Sequence, residues 1–78
     1  MFKVYAIESK NRNYIYVGLT NNLEERLRRH NNGTNKTTAP YSPFDLLYTE
    51  ECTDRKVARV REKYLKSGIG KEFLKNLK

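Results

Sequence analysis

The sequence predicts an α+β fold in which a three-stranded antiparallel sheet is flanked by helices, in the order β-β-α-β-α-α. Three short runs are rich in β-branched and aromatic residues, and a polar, turn-forming linker joins the first two as in a hairpin. Elsewhere apolar residues recur at helical spacing behind capping residues. Helices that follow a hairpin and a third strand are expected to pack on the resulting sheet.

The first two strands are predicted for residues 2–7 and 14–18. In the second strand Tyr14, Tyr16 and Gly18 share one face, and the two aliphatic residues between them share the other. The aliphatic face is expected to pack on the core. The other face is aromatic and ends in a glycine, which a ligand or a neighbouring chain segment can approach closely.

The first helix is predicted to begin after the N-cap candidates at residues 20–22 and to end at an Asn-Asn-Gly sequence. Acidic residues lie in its first turn and basic residues in its last, which complements the helix dipole. Leu23, Leu27 and His30 fall on one stripe, and Arg26 borders that stripe. We therefore expect Arg26 near the edge of the sheet rather than in open solvent.

The rest of the chain supplies four more predicted elements: a polar loop over 33–43, a third strand over 44–50, a second helix over about 55–66 and a last helix near 71–77. Thr53 or Asp54 caps the second helix, and Ser67 with Gly68 ends it. No internal repeat appears, and the sequence predicts one domain over residues 1–78.

A projection of the second helix groups five residues into an apolar face: Val57, Ala58, Val60, Tyr64 and Leu65. Arg61 falls near the middle of this face, and Glu62 falls at its edge. Glu62 has two interpretations. It could be a surface partner of Lys66, four residues further on. It could also be a carboxylate that holds a cation, because Mg²⁺ needs few protein carboxylates when phosphate and water complete its coordination.

The formal charge of +7, from 16 Lys and Arg against 9 Asp and Glu, favours a polyanionic partner, and nucleic acid is the commonest one. A basic surface that serves only solubility remains the alternative. No apolar run is long enough to span a membrane, and the first residues lack the pattern of a secretory signal. We therefore expect a cytoplasmic protein without a membrane partner.

Cys52 is the only cysteine, so an intrachain disulfide and a cysteine-rich zinc site are both excluded. Any metal chemistry must use oxygen ligands or the single histidine, His30.

The candidate residues for chemistry are a phenol, a guanidinium and an imidazole near the start of the chain. A strand tyrosine is most often a packing residue, but Tyr5 and Tyr16 together with Gly18 are harder to explain in that way. A fixed guanidinium at Arg26 suits paired hydrogen bonds to a phosphate. His30 lies one helical turn further on and is either a structural residue or a proton acceptor.

These residues resemble a known signature. Lys3-Val4-Tyr5, followed after ten residues by Tyr16-Val17-Gly18, resembles the GIY-YIG motif, with Lys-Val-Tyr in place of Gly-Ile-Tyr. The segment 23–33 is similar to the first-helix segment of that family, and Arg61-Glu62-Lys63 resembles its later Arg-Glu segment. The resemblance covers essentially the whole chain and is strongest to the small stand-alone bacterial members.

The resemblance implies hydrolysis of a nucleic-acid phosphodiester with one divalent cation, Mg²⁺ or Mn²⁺, held by Glu62. Arg26 would stabilise charge on the phosphate. Tyr5 would orient or activate the attacking water, with Tyr16 and His30 hydrogen-bonded around it. Because an ordinary tyrosine is a weak base at neutral pH, Arg26 and the cation would have to lower its pKa. Five residues are expected to contact the nucleic acid: Gly18, Arg29, Lys36, Thr37 and Arg61.

Two functions remain open at this point. The first is an endonuclease acting on DNA, including structured or damaged DNA, and the second is a non-catalytic nucleic-acid-binding module. Glu62 favours the first, because a pure binder has no need of a carboxylate among so many cations. A protein-interaction domain explains the charge poorly. A partner protein could supply specificity, and the oligomeric state is left open.

Overall fold

The chain forms three strands and three α-helices in the predicted order within residues 1–77, which a computed structural model describes. The elements are β1 (Phe2–Ser9), β2 (Ile15–Thr20), α1 (Leu23–Asn32), a single 3₁₀ turn (Ala39–Tyr41), β3 (Phe44–Cys52), α2 (Arg55–Lys66) and α3 (Gly68–Lys75). Lys78, the last residue of the predicted domain, lies outside the described residues. None of the helices in residues 1–77 has the length and apolarity to cross a membrane.

The sheet is antiparallel, with strand order β2-β1-β3. β1 and β3 each extend two residues beyond their predicted ends, because the ladder between them continues to the pair Ser9 and Phe44 at one end and Phe2 and Cys52 at the other. β2 begins at Ile15, so Tyr14 lies just outside it. β2 is an edge strand, and its free side borders the clefts described below.

Alternating side chains of β1 supply both faces of the sheet with buried groups. Val4 and Ala6 belong to a core that α2 and α3 cover with Ala58, Leu65 and Leu74. Tyr5 and Ile7 belong to a second core with Phe44, against which Leu23 and Leu27 of α1 pack. The aliphatic face of β2 thus packs on a core as predicted, and the aromatic face is covered as well.

The ends of α1 are capped as the sequence predicts. The Asn22 side chain accepts a hydrogen bond from the Glu25 amide at 3.2 Å. Gly33 has a φ of 73°, and this left-handed conformation favours glycine at a helix C-terminus. The capped helix places Leu23, Leu27 and His30 toward the sheet, which confirms the predicted stripe.

The orientation of α2 differs from the predicted projection. Ala58 and Leu65 are buried, whereas Val57, Val60 and Tyr64 are exposed. Arg61 does not occupy an apolar face. Its guanidinium donates two hydrogen bonds to Glu50 of β3, at 2.7 and 3.1 Å, and the Tyr48 hydroxyl donates a third to the same carboxylate. Burial of Ala58 and Leu65 against the sheet sets this orientation. Glu62 then lies on the protein side, with its side chain only 14% exposed.

α3 begins three residues earlier than predicted. The sequence suggests that Ser67 and Gly68 separate the last two helices, but Ser67 serves both. Its backbone ends α2, and its hydroxyl accepts a hydrogen bond from the Gly70 amide at 3.3 Å, which caps α3. The two helices are therefore joined with almost no linker, and the lysines at the end of α2 lie close to those of α3.

Candidate active site

A cleft of about 620 Å³ opens where the edge strand β2 meets the helices. Residues of β1, β2, α1 and α2 line it, including six of the predicted site residues: Tyr5, Tyr16, Gly18, Arg26, Arg29 and Glu62. α1 and α2 cover opposite faces of the sheet. Because residues of β2 and of both helices line it, the cleft extends around the β2 edge of the sheet. We call it the arginine cleft.

A buried hydrogen-bonded chain runs from the arginine cleft into the protein. The Tyr5 hydroxyl lies 2.9 Å from His30 Nε2, and His30 Nδ1 lies 2.8 Å from the Thr38 hydroxyl. Thr38 in turn donates to the Asn35 carbonyl at 3.5 Å. With its proton used there, Thr38 accepts from Nδ1–H, so we assign Nε2 as the acceptor of the Tyr5 proton. His30 is fully buried and lies behind Tyr5.

Burial governs the protonation of this pair. It raises the pKa of Tyr5 to about 12, helped by Tyr16, although Arg26 acts in the opposite direction. Burial also lowers the pKa of His30, and Arg26 lowers it further. Arg26 thus acts on the Tyr5 pKa in the expected direction, but its charge alone does not outweigh burial. Tyr5 is a neutral phenol and His30 a neutral imidazole at pH 7.

Folding stability should consequently depend on the protonation of His30. The folded-state pKa is depressed, so below about pH 6.5 the unfolded chain binds the proton more readily, and the free energy of unfolding falls as the pH falls. Urea unfolding at about pH 7 and about pH 5.5 should show this loss in the wild type and a smaller loss in His30→Gln. Equal losses in the two proteins would contradict the buried, neutral His30.

The Tyr16 ring packs beside Tyr5 and His30, with ring centroids 6.3 and 5.1 Å away. Among the described residues the Tyr16 hydroxyl makes no hydrogen bond to Tyr5, so the predicted bond between these two is absent. Gly18, the partner of Tyr5 across the ladder, leaves room for the Tyr5 hydroxyl. A Cβ at Gly18 would lie 2.7 Å from the Tyr5 hydroxyl oxygen, which is closer than van der Waals contact allows.

Gly18→Ala should therefore displace Tyr5. We expect cleavage to fall at least about tenfold and the free energy of unfolding to fall by about 1–3 kcal/mol, because the added methyl group overpacks a buried site. Gly68→Ala is the matched control, since a Cβ there meets nothing within 4 Å. Cleavage rates and urea unfolding would be measured on both variants. A fully active Gly18→Ala protein would show that the position of Tyr5 is not critical.

Arginines dominate the charge of the cleft. Arg26, Arg29, Arg55 and Arg59 line it, against the carboxylates of Glu25 and Glu62. Arg26 and Arg55 form no ion pair within residues 1–77, so both are free to bind an anion. The sequence analysis missed Arg55 and Arg59. The spacing of these two arginines could have revealed them, because they lie seven and three residues before Glu62 and therefore on the same face of α2.

Glu62 is the carboxylate that could hold a cation. Its oxygens lie 3.8 Å from Arg59 and 3.4 Å from Lys66, so the predicted surface pair with Lys66 is present and Glu62 lines the cleft as well. Residues 1–77 contain no group of three or more His, Cys, Asp or Glu side chains that could hold a metal. Glu62, the less exposed of the two carboxylates that line this cleft, fits Mg²⁺ or Mn²⁺ completed by phosphate and water, and the two carboxylates do not fit a zinc site.

Three predicted nucleic-acid contacts lie outside the arginine cleft. Lys36 and Thr37 are exposed in the loop after α1, and the Thr37 amide donates to the Asn35 side chain. Arg61 is held by Glu50 on β3. Their role in binding stays a prediction.

Comparison with known proteins identifies the class of domain to which this fold and cleft belong. A family model described as the GIY-YIG catalytic domain matches residues 1–76. The chain belongs to the GIY-YIG family. A UPF0213 protein of Clostridium perfringens is 41% identical over 64 residues, which cover 81% of this chain and 68% of the relative. A UPF0213 protein of Oceanobacillus iheyensis is 34% identical over 64 residues, which cover 81% of this chain and 73% of the relative.

The fold is similar to a solved structure as well. The solution NMR structure of a UPF0213 protein from Bacillus halodurans matches with a TM-score of 0.57 and 32% identity, over 100% of this chain and 86% of that one. The three-stranded sheet with its helices is therefore shared with a small relative of the same family. A GIY-YIG domain implies a nuclease-type function, and nucleases of this family typically use a divalent metal.

Proposed function

We propose that this chain is a metal-dependent endonuclease that hydrolyses phosphodiester bonds at the arginine cleft, with DNA as the expected substrate. One observation carries the proposal: a phenol, a guanidinium and a carboxylate from three different elements line the same cleft. These are Tyr5 of β1, Arg26 of α1 and Glu62 of α2. Each has a distinct role in phosphodiester hydrolysis. Packing alone does not explain why the charged side chains of Arg26 and Glu62 lie in this cleft.

Arg26 is proposed to bind the phosphate that is cut. A guanidinium can donate two parallel hydrogen bonds to phosphate oxygens, and it stabilises the negative charge that grows there during attack. The lack of an ion pair for Arg26 among the described residues supports this role, because no carboxylate has to be displaced first. Arg55, likewise unpaired, is proposed to contact the flanking backbone.

Tyr5 and His30 are proposed to move the proton of the attacking water together. A pKa of about 12 makes a standing tyrosinate rare at neutral pH. The water can instead pass its proton to the Tyr5 oxygen while Tyr5 passes its own proton to His30 Nε2, 2.9 Å away. Tyr5 then stays neutral while the water oxygen bonds to phosphorus and the bond from phosphorus to the leaving oxygen breaks. The leaving oxygen takes a proton from solvent. The bond from His30 to Thr38 keeps the imidazole in the required tautomer.

Glu62 is proposed to hold the divalent cation in the arginine cleft. Its carboxylate must exchange its contacts with Arg59 and Lys66 for the ion. When bound there, the ion supplies Lewis-acid stabilisation of negative charge on the phosphate and on the leaving oxygen.

A cleavage assay tests the proposal. Labelled duplex, single-stranded, branched and damaged DNA, and matching RNA, would be incubated with Mg²⁺, with Mn²⁺ or with EDTA. We expect internal cleavage of at least one DNA structure with either metal and none with EDTA. Binding without cleavage on every substrate would favour the alternative function, a non-catalytic module that uses the same cations to hold the backbone.

A further inference from the structure

A second cleft, of about 480 Å³, lies on the other side of Tyr16 from the arginine cleft. Its walls come from the start of β2 and from α2 and α3, and they include Tyr14, Tyr16, Lys66, Lys71 and Lys75. We call it the lysine cleft. Tyr16 lines both clefts, so they are neighbours along the open β2 edge. The catalytic proposal makes no use of this second cleft.

Two of the three lysines in the lysine cleft have no acidic partner within residues 1–77. Lys71 and Lys75 are four residues apart on one face of α3, and neither forms an ion pair within residues 1–77. Among the residues that the structure describes, none that lines the cleft is acidic. Lys66 has one partner, Glu62, which lies outside the lysine cleft and lines the arginine cleft. Three ammonium groups around this cleft suit phosphate oxygens, and lysine binds these as a point charge without reading base sequence.

The ring of Tyr14, which forms part of one wall of this cleft, is held in place by stacking. It stacks on Tyr41 with centroids 3.9 Å apart and planes within 10°. Tyr14 and Tyr16 thus add two phenols to the three lysines, and side chains of both kinds bind the backbone of nucleic acids. An acidic protein surface would satisfy the charge as well, but the two clefts are neighbours along the β2 edge, so one polyanion bound in the arginine cleft can also occupy the lysine cleft.

We propose that the lysine cleft binds the nucleic-acid backbone that flanks the cut site, and that Lys66 exchanges Glu62 for a backbone phosphate when the substrate binds. The Lys66 nitrogen lies 3.4 Å from a Glu62 oxygen in the free protein. A phosphate in the lysine cleft competes for this ammonium group and leaves the carboxylate available to a cation. Backbone binding and cation binding are therefore coupled positively. Both parts rest on the proposed function for the position of the cut site, but binding of a backbone in the lysine cleft is measured without any cleavage.

Fluorescence anisotropy tests the backbone site with a fluorescein-labelled DNA of about 20 nucleotides, single-stranded and duplex, over a range of salt concentrations. Lys71→Gln/Lys75→Gln should weaken binding at least about tenfold and reduce the salt dependence by about one to two charges. The matched control is Lys56→Gln/Lys63→Gln, which removes the same charge from exposed positions of α2 outside both clefts. Equal weakening by the two double variants would overturn the proposal.

The result is separable from the nuclease proposal. A selective loss of binding in Lys71→Gln/Lys75→Gln would support the lysine cleft even if the wild type cut no substrate. Cleavage by the wild type without such a loss would keep the nuclease and remove the lysine cleft.

Mn²⁺ titration followed by water proton relaxation tests the exchange at Lys66. In the wild type, a DNA duplex with uncleavable linkages should tighten Mn²⁺ binding about fivefold or more, which is a typical strength for coupled sites. Lys66→Gln should bind Mn²⁺ more tightly than the wild type without DNA and should show less tightening with it. Identical titrations of the two proteins would overturn the exchange, because Glu62 would then be equally available in both.

Discussion

Glu62→Gln is expected to reduce the rate of metal-dependent cleavage about a thousandfold or more. The substitution keeps the shape of the side chain but removes the charge that a divalent cation requires, and metal stabilisation of the reacting groups contributes several kcal/mol. Binding of nucleic acid should persist, since the arginines of the cleft remain. Folding should change by less than about 1 kcal/mol, because the partners Arg59 and Lys66 are half exposed.

Single-turnover rates and anisotropy would be measured on Glu62→Gln beside a charge-matched control. Glu72→Gln makes the same chemical change at an exposed position of α3 outside both clefts. The control should cleave like the wild type. A Glu62→Gln protein with wild-type activity would exclude this carboxylate as the metal ligand, and equal losses in both variants would indicate an effect of net charge alone.

Arg26→Lys is expected to lower the cleavage rate about a hundredfold with a much smaller effect on binding. Lysine keeps the positive charge but loses the planar pair of donors, and loss of one such group from a developing anion typically costs a factor of this size. Arg28→Lys is the control on the same helix, since Arg28 is exposed and pairs with Glu25 rather than lining the cleft. Equal rates for Arg26→Lys and the wild type would contradict direct contact with the phosphate.

Arg26 also has a signature that needs no substrate. Its positive charge lowers the pKa of both Tyr5 and His30. Burial opposes this effect at Tyr5, where it raises the pKa, and adds to it at His30, where it lowers the pKa. Arg26→Ala should therefore raise both pKa values, which an NMR titration of the His30 ring would detect. An unchanged His30 pKa would place the guanidinium farther from this pair than the structure has it.

Local sequence signals predicted much of the fold because they depend on neighbours in the chain. The stripe of Leu23, Leu27 and His30, the cap at Asn22 and the left-handed Gly33 all follow from spacing and residue type within α1. The same holds for the alternation of β2. The likeness of the tyrosine and glycine spacing to a known motif further predicted which side chains would meet at one cleft.

Features that depend on packing between distant segments were not predictable in this way. The orientation of α2 is set by the packing of Ala58 and Leu65 on the sheet, and the pair between Arg61 and β3 agrees with it; an isolated helical projection contains neither. Arg55 joins the cleft only because of that orientation. The lysine cleft forms because Ser67 caps α3 immediately after α2, so that their lysines converge. The burial of Tyr5 was not predictable from local sequence either, and burial outweighs the charge of Arg26 in setting the Tyr5 pKa.

The central claim is that Tyr5, Arg26 and Glu62 form one site that works with a bound divalent cation. Mn²⁺ added to ¹⁵N-labelled protein tests it without knowledge of the substrate, because the ion broadens the NMR signals of nearby residues. We expect selective broadening at Gly18, Arg26 and Glu62 in the wild type, and no such broadening in Glu62→Gln. Broadening that centres instead on Glu50 and Glu51 of β3, or that persists unchanged in Glu62→Gln, would contradict it.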